Sequence, residues 1–584
     1  MADAELRKRT TGQREAQHNG AEKKLAKTMA RRKGRSKTVQ WVGLGALVLG
    51  IVYWYTGIAG IRGGWKAVPA KNARIDPDYD VDIERRDAIV DAFRYAWSAY
   101  ERDAMGYDNY HPIEKKGTEL SKAGGIGYTI VDAIDTMQIM GLADEYKRAR
   151  DWIAENLTFE RDDSFNTFET TIRVLGGLLS AYHLSGNDPV LLEKAKDLGE
   201  RILPAFQTRS GLPLPMVNLK RRTGVGEEWL KSMVSTAEAA TLQLELKYLA
   251  HLTDEAEFWY KAERVMDVIK KADPEGGLVP IHMDADTGQY IPSEIRLGSR
   301  GDSYYEYLLK QYLQTNRTED VYREMYEIAM TGIYDHLLHK GLHEKHLYTS
   351  ELLVARDMYG QPVDWDISPK QDHLVCFLGG SLMLGAVTAG ALIDNVSVPP
   401  HSSELSETGK RDWTVGYELI ETCMDTYDTA TGLSPEIVHF YVSDDERDPS
   451  ENRHKDWYVK GMEDPLGPPS YDARYMLRPE TVESLFIAFR LTGDHRYRDY
   501  GWKIFQAIEK HAKVETGGYV TVLDVNNVES AKEDKMESFF LSETLKYLYL
   551  LFSESSVIPL DRYVFNTEAH PLPKFAPNIR TGFS

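Results

Sequence analysis

Along most of this chain, apolar residues recur at the three-and-four spacing of amphipathic helices, and they do so in pairs. In each pair a first helix ends in Leu and a polar turn, and a second amphipathic stretch follows. The pattern covers Leu178–Asn187 with Leu191–Leu203, and Leu246–Asp254 with Phe258–Ile269. It returns at Leu308–Leu313 with Val321–Ile333, and at Leu485–Asp494 with Tyr497–Ile508. Repeated helical hairpins stack into an open solenoid or close into a toroid, and the period alone does not choose. The connections are long and carry β-like runs such as Gly517-Gly-Tyr-Val-Thr-Val-Leu. Long loops on one side of a rigid frame are where sites are built. An all-α fold is expected, an α/α barrel of helical hairpins with minor β elements in its loops.

One stretch is apolar all round. Residues 38–61 hold no charged side chain, and about twenty residues at about 1.5 Å each span a bilayer core of about 30 Å. Arg31, Arg32, Lys33, Arg35 and Lys37 precede it, which places residues 1–37 in the cytosol by the positive-inside rule. A signal anchor fits better than a cleaved signal peptide, whose basic and apolar regions are both shorter. The expected order is a basic tail over 1–37, an anchor over 38–61, a lumenal stem over 62–82, a large domain over 83–573 and a tail over 574–584. Sequons at Asn156-Leu-Thr, Asn316-Arg-Thr and Asn395-Val-Ser suit a lumenal body.

Charge sharpens this picture. The formal net charge is −20, yet the first 37 residues are basic, leaving 58 bases and 86 acids in the rest. Such a body does not suit nucleic acid, whose phosphates demand Lys and Arg. It suits carboxylate chemistry, cation binding or solubility. Carboxylates recur where helices begin: Asp132 and Asp135, Glu169 four residues before Arg173, Glu238, Asp302 with Glu306, Glu436, Glu480 with Glu483, and Glu543. Taken singly, each reads as an acid favoured by a helix dipole or a surface ion pair. Their recurrence beside Phe, Tyr and His points further. Aromatic faces with carboxylates suit sugar rings, and glycoside cleavage needs a proton donor and a second carboxylate. No HExxH, P-loop, GxSxG, EF-hand loop or zinc spacing is present.

Seven motifs carry a specific resemblance. They are Ile130-Val-Asp-Ala-Ile-Asp-Thr, Phe168-Glu-Thr-Thr-Ile-Arg-Val-Leu-Gly-Gly, Gly301-Asp-Ser-Tyr-Tyr-Glu-Tyr, His373-Leu-Val-Cys-Phe, Arg478-Pro-Glu-Thr-Val-Glu-Ser, Ser538-Phe-Phe-Leu-Ser-Glu-Thr and Val564-Phe-Asn-Thr-Glu-Ala-His-Pro. In order and content the chain resembles the class I α-1,2-mannosidases, glycoside hydrolase family 47. The resemblance implies a barrel of seven hairpins, inversion at the anomeric carbon and a bound Ca²⁺ at the barrel floor. It implies Glu169 as the acid, Glu480 as the base and Asp302 as a further essential carboxylate, with acid and base about 6.5–9.5 Å apart to admit a water. Arg173, Arg300, His373, Arg478, Phe539, Asp132, Glu238 and Glu436 are implied as substrate contacts. Which of Asp132 and Asp135 faces the pocket stays open.

Thr567 is implied as the direct Ca²⁺ ligand, with waters held by Glu306, Glu480, Glu483, Glu543 and Glu568, an oxygen-only set that suits this hard cation. Cys376 and Cys423, the only cysteines, match the family's bridged pair. Arg300 matches members of the endoplasmic reticulum type, whereas Golgi relatives carry a smaller apolar residue there. The implied activity is removal of one α-1,2-linked mannose, from the middle branch of nine-mannose N-glycans on glycoproteins. The implied setting is a single-pass endoplasmic reticulum membrane protein with a lumenal catalytic body, and a monomer is expected. The alternatives are broader Golgi-type trimming and a mannose-binding quality-control lectin.

Overall fold

All four predicted helix pairs are present, and three more join them. The computed structural model describes residues 79–227, 230–442, 455–461, 468–579 and 582–583. Helices α1, α2 and α3 are Ile83–Ala104, Tyr128–Ile139 and Ala143–Asn156. Helix α4 runs from Thr167–Glu169 through a π-helical turn, Thr170–Leu175, into Gly176–Leu184, and α5 is Pro189–Ile202. Gln243–Thr253, Ala256–Lys271, Asp302–Gln314 and Asp320–His336 are α6 to α9. Phe377–Ala386, Glu407–Asp425, Glu480–Thr492 and Arg496–His511 are α10 to α13. Helix α14 opens on a second π-helical turn, Phe540–Thr544, and continues as Leu545–Phe552.

The even-numbered helices make an inner ring. Each touches the next from α2 to α14, and the π-turn of α14 returns to α2. Among the described residues this arranges seven helix pairs as an α/α barrel, six of them hairpins and the seventh made by α1 laid on α14, with odd-numbered helices outside. Burial explains which pairs the periodicity revealed. Outer helices α7 and α13 bury one stripe each, so their polar–apolar alternation is visible. Inner helices are enclosed: Ser303–Gln314 of α8 and Leu545–Phe552 of α14 are buried throughout. Helix α10, Phe-Leu-Gly-Gly-Ser-Leu-Met-Leu-Gly-Ala, has no polar face at all, and a loop over 387–406 separates it from α11. Neither a polar face on α10 nor a short turn marks that pair in the sequence.

Helices α10 and α11 approach closely. A Cβ on Gly379 would lie 2.6 Å from Ile420, and one on Gly416 would lie 2.6 Å from the Gly379 carbonyl. The Cys376–Cys423 disulfide links the same pair across a Cα separation of 5.9 Å. More β structure is present than expected. An antiparallel sheet in sequential order holds β1 Met233–Ser235, β2 Pro280–Asp284, β3 Tyr290–Ile295, β4 Glu351–Arg356 and β5 Pro362–Ser368. A last antiparallel hairpin, β6 Tyr563–Phe565 with β7 Pro571–Pro573, enters the barrel from the end where α14 finishes.

The described residues belong to one compact unit, and it extends past 83–573 at both ends. The Tyr79 hydroxyl donates to the Arg490 carbonyl at 3.1 Å, and the Asp82 amide donates to the Phe552 carbonyl at 2.9 Å. The Phe575 amide donates to the Gln314 carbonyl at 2.8 Å, and its ring stacks on His251 at 4.3 Å. The expected tail and anchor, and the stem as far as residue 78, lie outside the described residues. Among the described residues no helix is long and apolar enough to cross a membrane. Asn156, Asn316 and Asn395 are all exposed.

The disulfide closes a loop with a sequence separation of 47. Losing it through Cys376→Ser or Cys423→Ser should lower the unfolding free energy by about 4 kcal/mol in the loop-entropy description, read from urea unfolding. Thiol titration of unreduced, denatured protein should find no free thiol.

Candidate functional site

The inner helices deliver their N-terminal ends to one end of the barrel, around a cavity of about 340 Å³. Asp302 opens α8 and Glu480 opens α12; Glu169 closes the first turn of α4, where the Asn166 side chain caps its amide at 2.8 Å. Glu238 lies in the short helix Thr236–Ala240, capped by Ser235. Helix N-termini carry partial positive charge, which favours carboxylates gathered there. Glu169 and Phe539 each stand directly before a π-helical turn, and such turns concentrate at functional sites. Arg300 and Leu477 adopt φ of 71° and 65°, uncommon for residues with a side chain. The backbone holds both: the Arg300 carbonyl accepts from the Ala237 amide at 3.0 Å, and the Leu477 carbonyl accepts from the Thr544 hydroxyl at 2.6 Å.

Arg173 is the hub of one wall. Its Nε donates to Glu169 Oε2 at 2.8 Å, and its Nη1 donates to Ser538 Oγ at 3.2 Å and to Glu568. The Tyr128 hydroxyl also donates to Glu169 Oε2, at 3.2 Å. The Glu169 side chain is 36% exposed, so a ligand in the cavity can reach it. Two guanidiniums face the Phe539 ring, Arg173 at 5.6 Å and Arg478 at 5.8 Å, a cation–π arrangement that fixes the ring.

The opposite wall is built on Glu480. Its Oε2 meets His373 Nδ1 at 2.7 Å, and His373 Nε2 is held by the Tyr427 and Thr481 hydroxyls at 3.0 and 3.3 Å. Burial by itself would raise the Glu480 carboxyl, but the His373 contact and the Arg478 charge hold it below its ordinary value. Arg478 grips Glu436 in a fork, with Nε and Nη2 at 2.6–2.8 Å. Asp302 goes the other way. Burial, aided by the negative charges of Glu306, Glu480 and Asp372, pushes it up to about 7. Burial also raises Glu238, against the pull of Arg300 at 3.6 Å.

The floor is a crowd of carboxylates beneath the β6–β7 turn. The Thr567 hydroxyl donates to Glu306 Oε2 at 2.8 Å, and Lys310 contacts Glu306 and, at 3.5 Å, Glu483. Burial, partly offset by Lys310, pushes Glu483 up to about 8. Burial followed by the charges of Glu568, Glu480 and Glu483 carries Glu543 well above the carboxylate range. Glu568 is raised likewise, in spite of Arg173.

Of the residues expected at the site, Glu169, Arg173, Glu238, Arg300, Asp302, Arg478, Glu480 and Phe539 all line the cavity. So do Glu306, Glu483, Glu543, Thr567 and Glu568. Asp132, His373 and Glu436 do not line it; they stand behind Arg173, Glu480 and Arg478 respectively. Asp135 lies deeper still, against Lys546 at 2.9 Å. Several partners were not foreseen: Lys310, Tyr128, Tyr427, Ser538, Lys546 and His570. Lys310 alone had a local signal, since it follows Glu306 by four residues. A separate grouping of Glu344, His346 and Asp425 could hold a metal ion, but none of its members lines the cavity.

The sequence profile of glycosyl hydrolase family 47 matches residues 92–574. A mannosyl-oligosaccharide 1,2-alpha-mannosidase of Candida albicans is 45% identical, over 86% of this chain and 85% of its own. An endoplasmic reticulum mannosyl-oligosaccharide 1,2-alpha-mannosidase of Schizosaccharomyces pombe is 41% identical, over 85% of this chain and 91% of its own. An alpha-1,2-mannosidase structure from Trichoderma reesei superposes with a TM-score of 0.72 at 28% identity, covering 85% of this chain and 100% of that one.

Breaking a buried ion pair on one side is costly because the remaining charge is stranded. Lys310→Met should therefore destabilise the metal-free protein by about 3–5 kcal/mol, read from urea unfolding in chelator. A loss below about 1 kcal/mol would mean that Glu306 and Glu483 do not depend on it.

Proposed function

Because the chain belongs to glycoside hydrolase family 47, we propose that it is an exo-α-1,2-mannosidase that removes one α-1,2-linked mannose from nine-mannose N-glycans with inversion. The observation that carries this reading is the convergence of Glu169, Asp302 and Glu480 on one cavity beside Phe539. Those carboxylates lie in unlike surroundings, which is what separates an acid from a base. Glu480, kept ionised by His373 and Arg478, is the base that takes a proton from the attacking water. Glu169, reachable from the cavity, gives a proton to the leaving oxygen. A second reading assigns the donor role to Asp302, favoured by its rise to about 7. Phe539 offers a ring face for the mannose, and Arg478 and Arg173 orient hydroxyls by directed donors.

The floor fits a hard cation. Glu306, Glu483, Glu543 and Glu568 crowd beneath Thr567 with only oxygen donors facing the cavity, and burial raises three of those acids. Thr567 would hold Ca²⁺ through its hydroxyl and carbonyl, and the four acids would hold its waters. Bound there, the ion supplies positive charge against the carboxylates. Arg300, half exposed at the rim against Glu238, selects the branch by donating fixed bonds to one arrangement of hydroxyls. In this reading residues 38–61 anchor the chain in the endoplasmic reticulum membrane, with the body in the lumen as a monomer.

Mannose release from a nine-mannose glycan tests the whole reading. Wild type should stop largely after one mannose, and Arg300→Leu should trim further; rapid wild-type progress to five mannoses would reject the single-cut assignment. Glu480→Gln should lose about 100-fold or more in kcat while the glycan still binds. Glu169→Gln should do the same, and retained turnover would transfer the donor role to Asp302. Chelator should abolish turnover and lower the Tm, since an ion bound only by the folded state stabilises it by mass action. Unchanged turnover and Tm would remove the metal from the scheme.

A further inference from the structure

Beneath the cavity runs a chain of buried charge that the proposed chemistry leaves unused. The Lys546 ammonium lies 2.9 Å from Asp135 Oδ1 and donates to the Ala569 carbonyl at 2.7 Å. Asp135 Oδ2 accepts from the Ser180 hydroxyl at 2.8 Å and meets His570 Nδ1 at 2.8 Å. The other ring nitrogen, His570 Nε2, lies 3.2 Å from Asp132 Oδ1. Asp132 Oδ2 takes the Ser538 hydroxyl and stands 3.6 Å from Arg173 Nη1. Lys546, Asp135, His570 and Asp132 are all fully buried.

The geometry of the imidazole decides its part. Each ring nitrogen faces a carboxylate oxygen, so the ring is clamped at both ends. Its effect passes to Arg173, the residue that binds Glu169 on the cavity side. With Asp132 fixed behind it, the guanidinium cannot retreat from the cavity. Burying ionised groups is costly unless each is paired, and here basic and acidic side chains alternate along the whole line.

The geometry points to His570 as a positioning residue: by clamping Asp132 it fixes Arg173, and through Arg173 the carboxyl group of Glu169. This rests on the role proposed above for Glu169. If His570 served only to hold the β6–β7 turn, its loss would lower stability or Ca²⁺ affinity and leave the rate of the bound complex intact.

Two variants of the full chain, assayed with Ca²⁺, separate these cases. His570→Gln opens the clamp; Asp132→Asn keeps the shape and removes the charge behind Arg173, so it carries the test should His570→Gln fail to fold. Each should lower kcat by about 10–100-fold with KM within about 3-fold of wild type, the scale of a small misplacement of a reacting group. Calorimetric Ca²⁺ affinity should be unchanged. Placed on Glu169→Gln, either substitution should cost less than about 2-fold more, because residues acting as a unit are not additive. Losses that multiply in that background overturn the inference, as does a loss confined to Ca²⁺ affinity or Tm with kcat intact. Full turnover in the single variant Glu169→Gln overturns the acid assignment itself, and is told apart by appearing without any change at His570.

Discussion

A carboxylate taken out of water must find positive charge or give up its own, and the interior of this barrel is arranged around that demand. Helix N-termini converge on one end and supply partial charges that cannot be titrated away. Whole charges come from a few bases: Arg173 serves Glu169, Asp132 and Glu568, Arg478 serves Glu436, and Lys310 serves Glu306 and Glu483. Where these are well placed, a carboxylate such as Glu480 is held ionised. Where they run short, as at Asp302 and Glu543, burial prevails and the carboxyl is pushed above its ordinary value. One supply of charge, spread unevenly, thus gives neighbouring acids different characters within a single cavity.

How much of this was legible in the sequence depended on how far apart the partners lie along the chain. Glu169 with Arg173 shows as a four-residue step on one helix face, and Glu306 with Lys310 has the same step. Arg478 gave no such sign, because Glu436 stands 42 residues away; His570 and Asp132 are separated by 438. Those contacts exist only once the ring has closed. The resemblance to a family supplied the site residues, yet it grouped Asp132, His373 and Glu436 with the substrate contacts. None of the three lines the cavity; they contact Arg173, Glu480 and Arg478 respectively. The fold followed the same rule: outer helices such as α7 and α13 announce themselves by a polar face, whereas α10 is enclosed and has none.

Several local departures from regular backbone lie beside the side chains of the cavity. The two π-helical turns, the left-handed Arg300 and Leu477 and the glycines around Asp302 all border the cavity. A Cβ on Gly301 would lie 2.1 Å from the Arg296 carbonyl, and one on Gly298 would lie 2.2 Å from Asp372. Strain of this kind persists only where surrounding contacts over-determine it.

The β6–β7 hairpin gives the barrel a direction in time. Among the described residues it follows every helix of the ring, and its turn meets the inner helices. Thr567 reaches Glu306, Asn566 reaches the Ile172 carbonyl, and His570 reaches Asp132. During vectorial synthesis, in which N-terminal parts emerge first, the helices can assemble while the floor is still missing. Only arrival of Asn566 to His570 brings these contacts together, so a chain halted before them has the helical walls without this part of the floor.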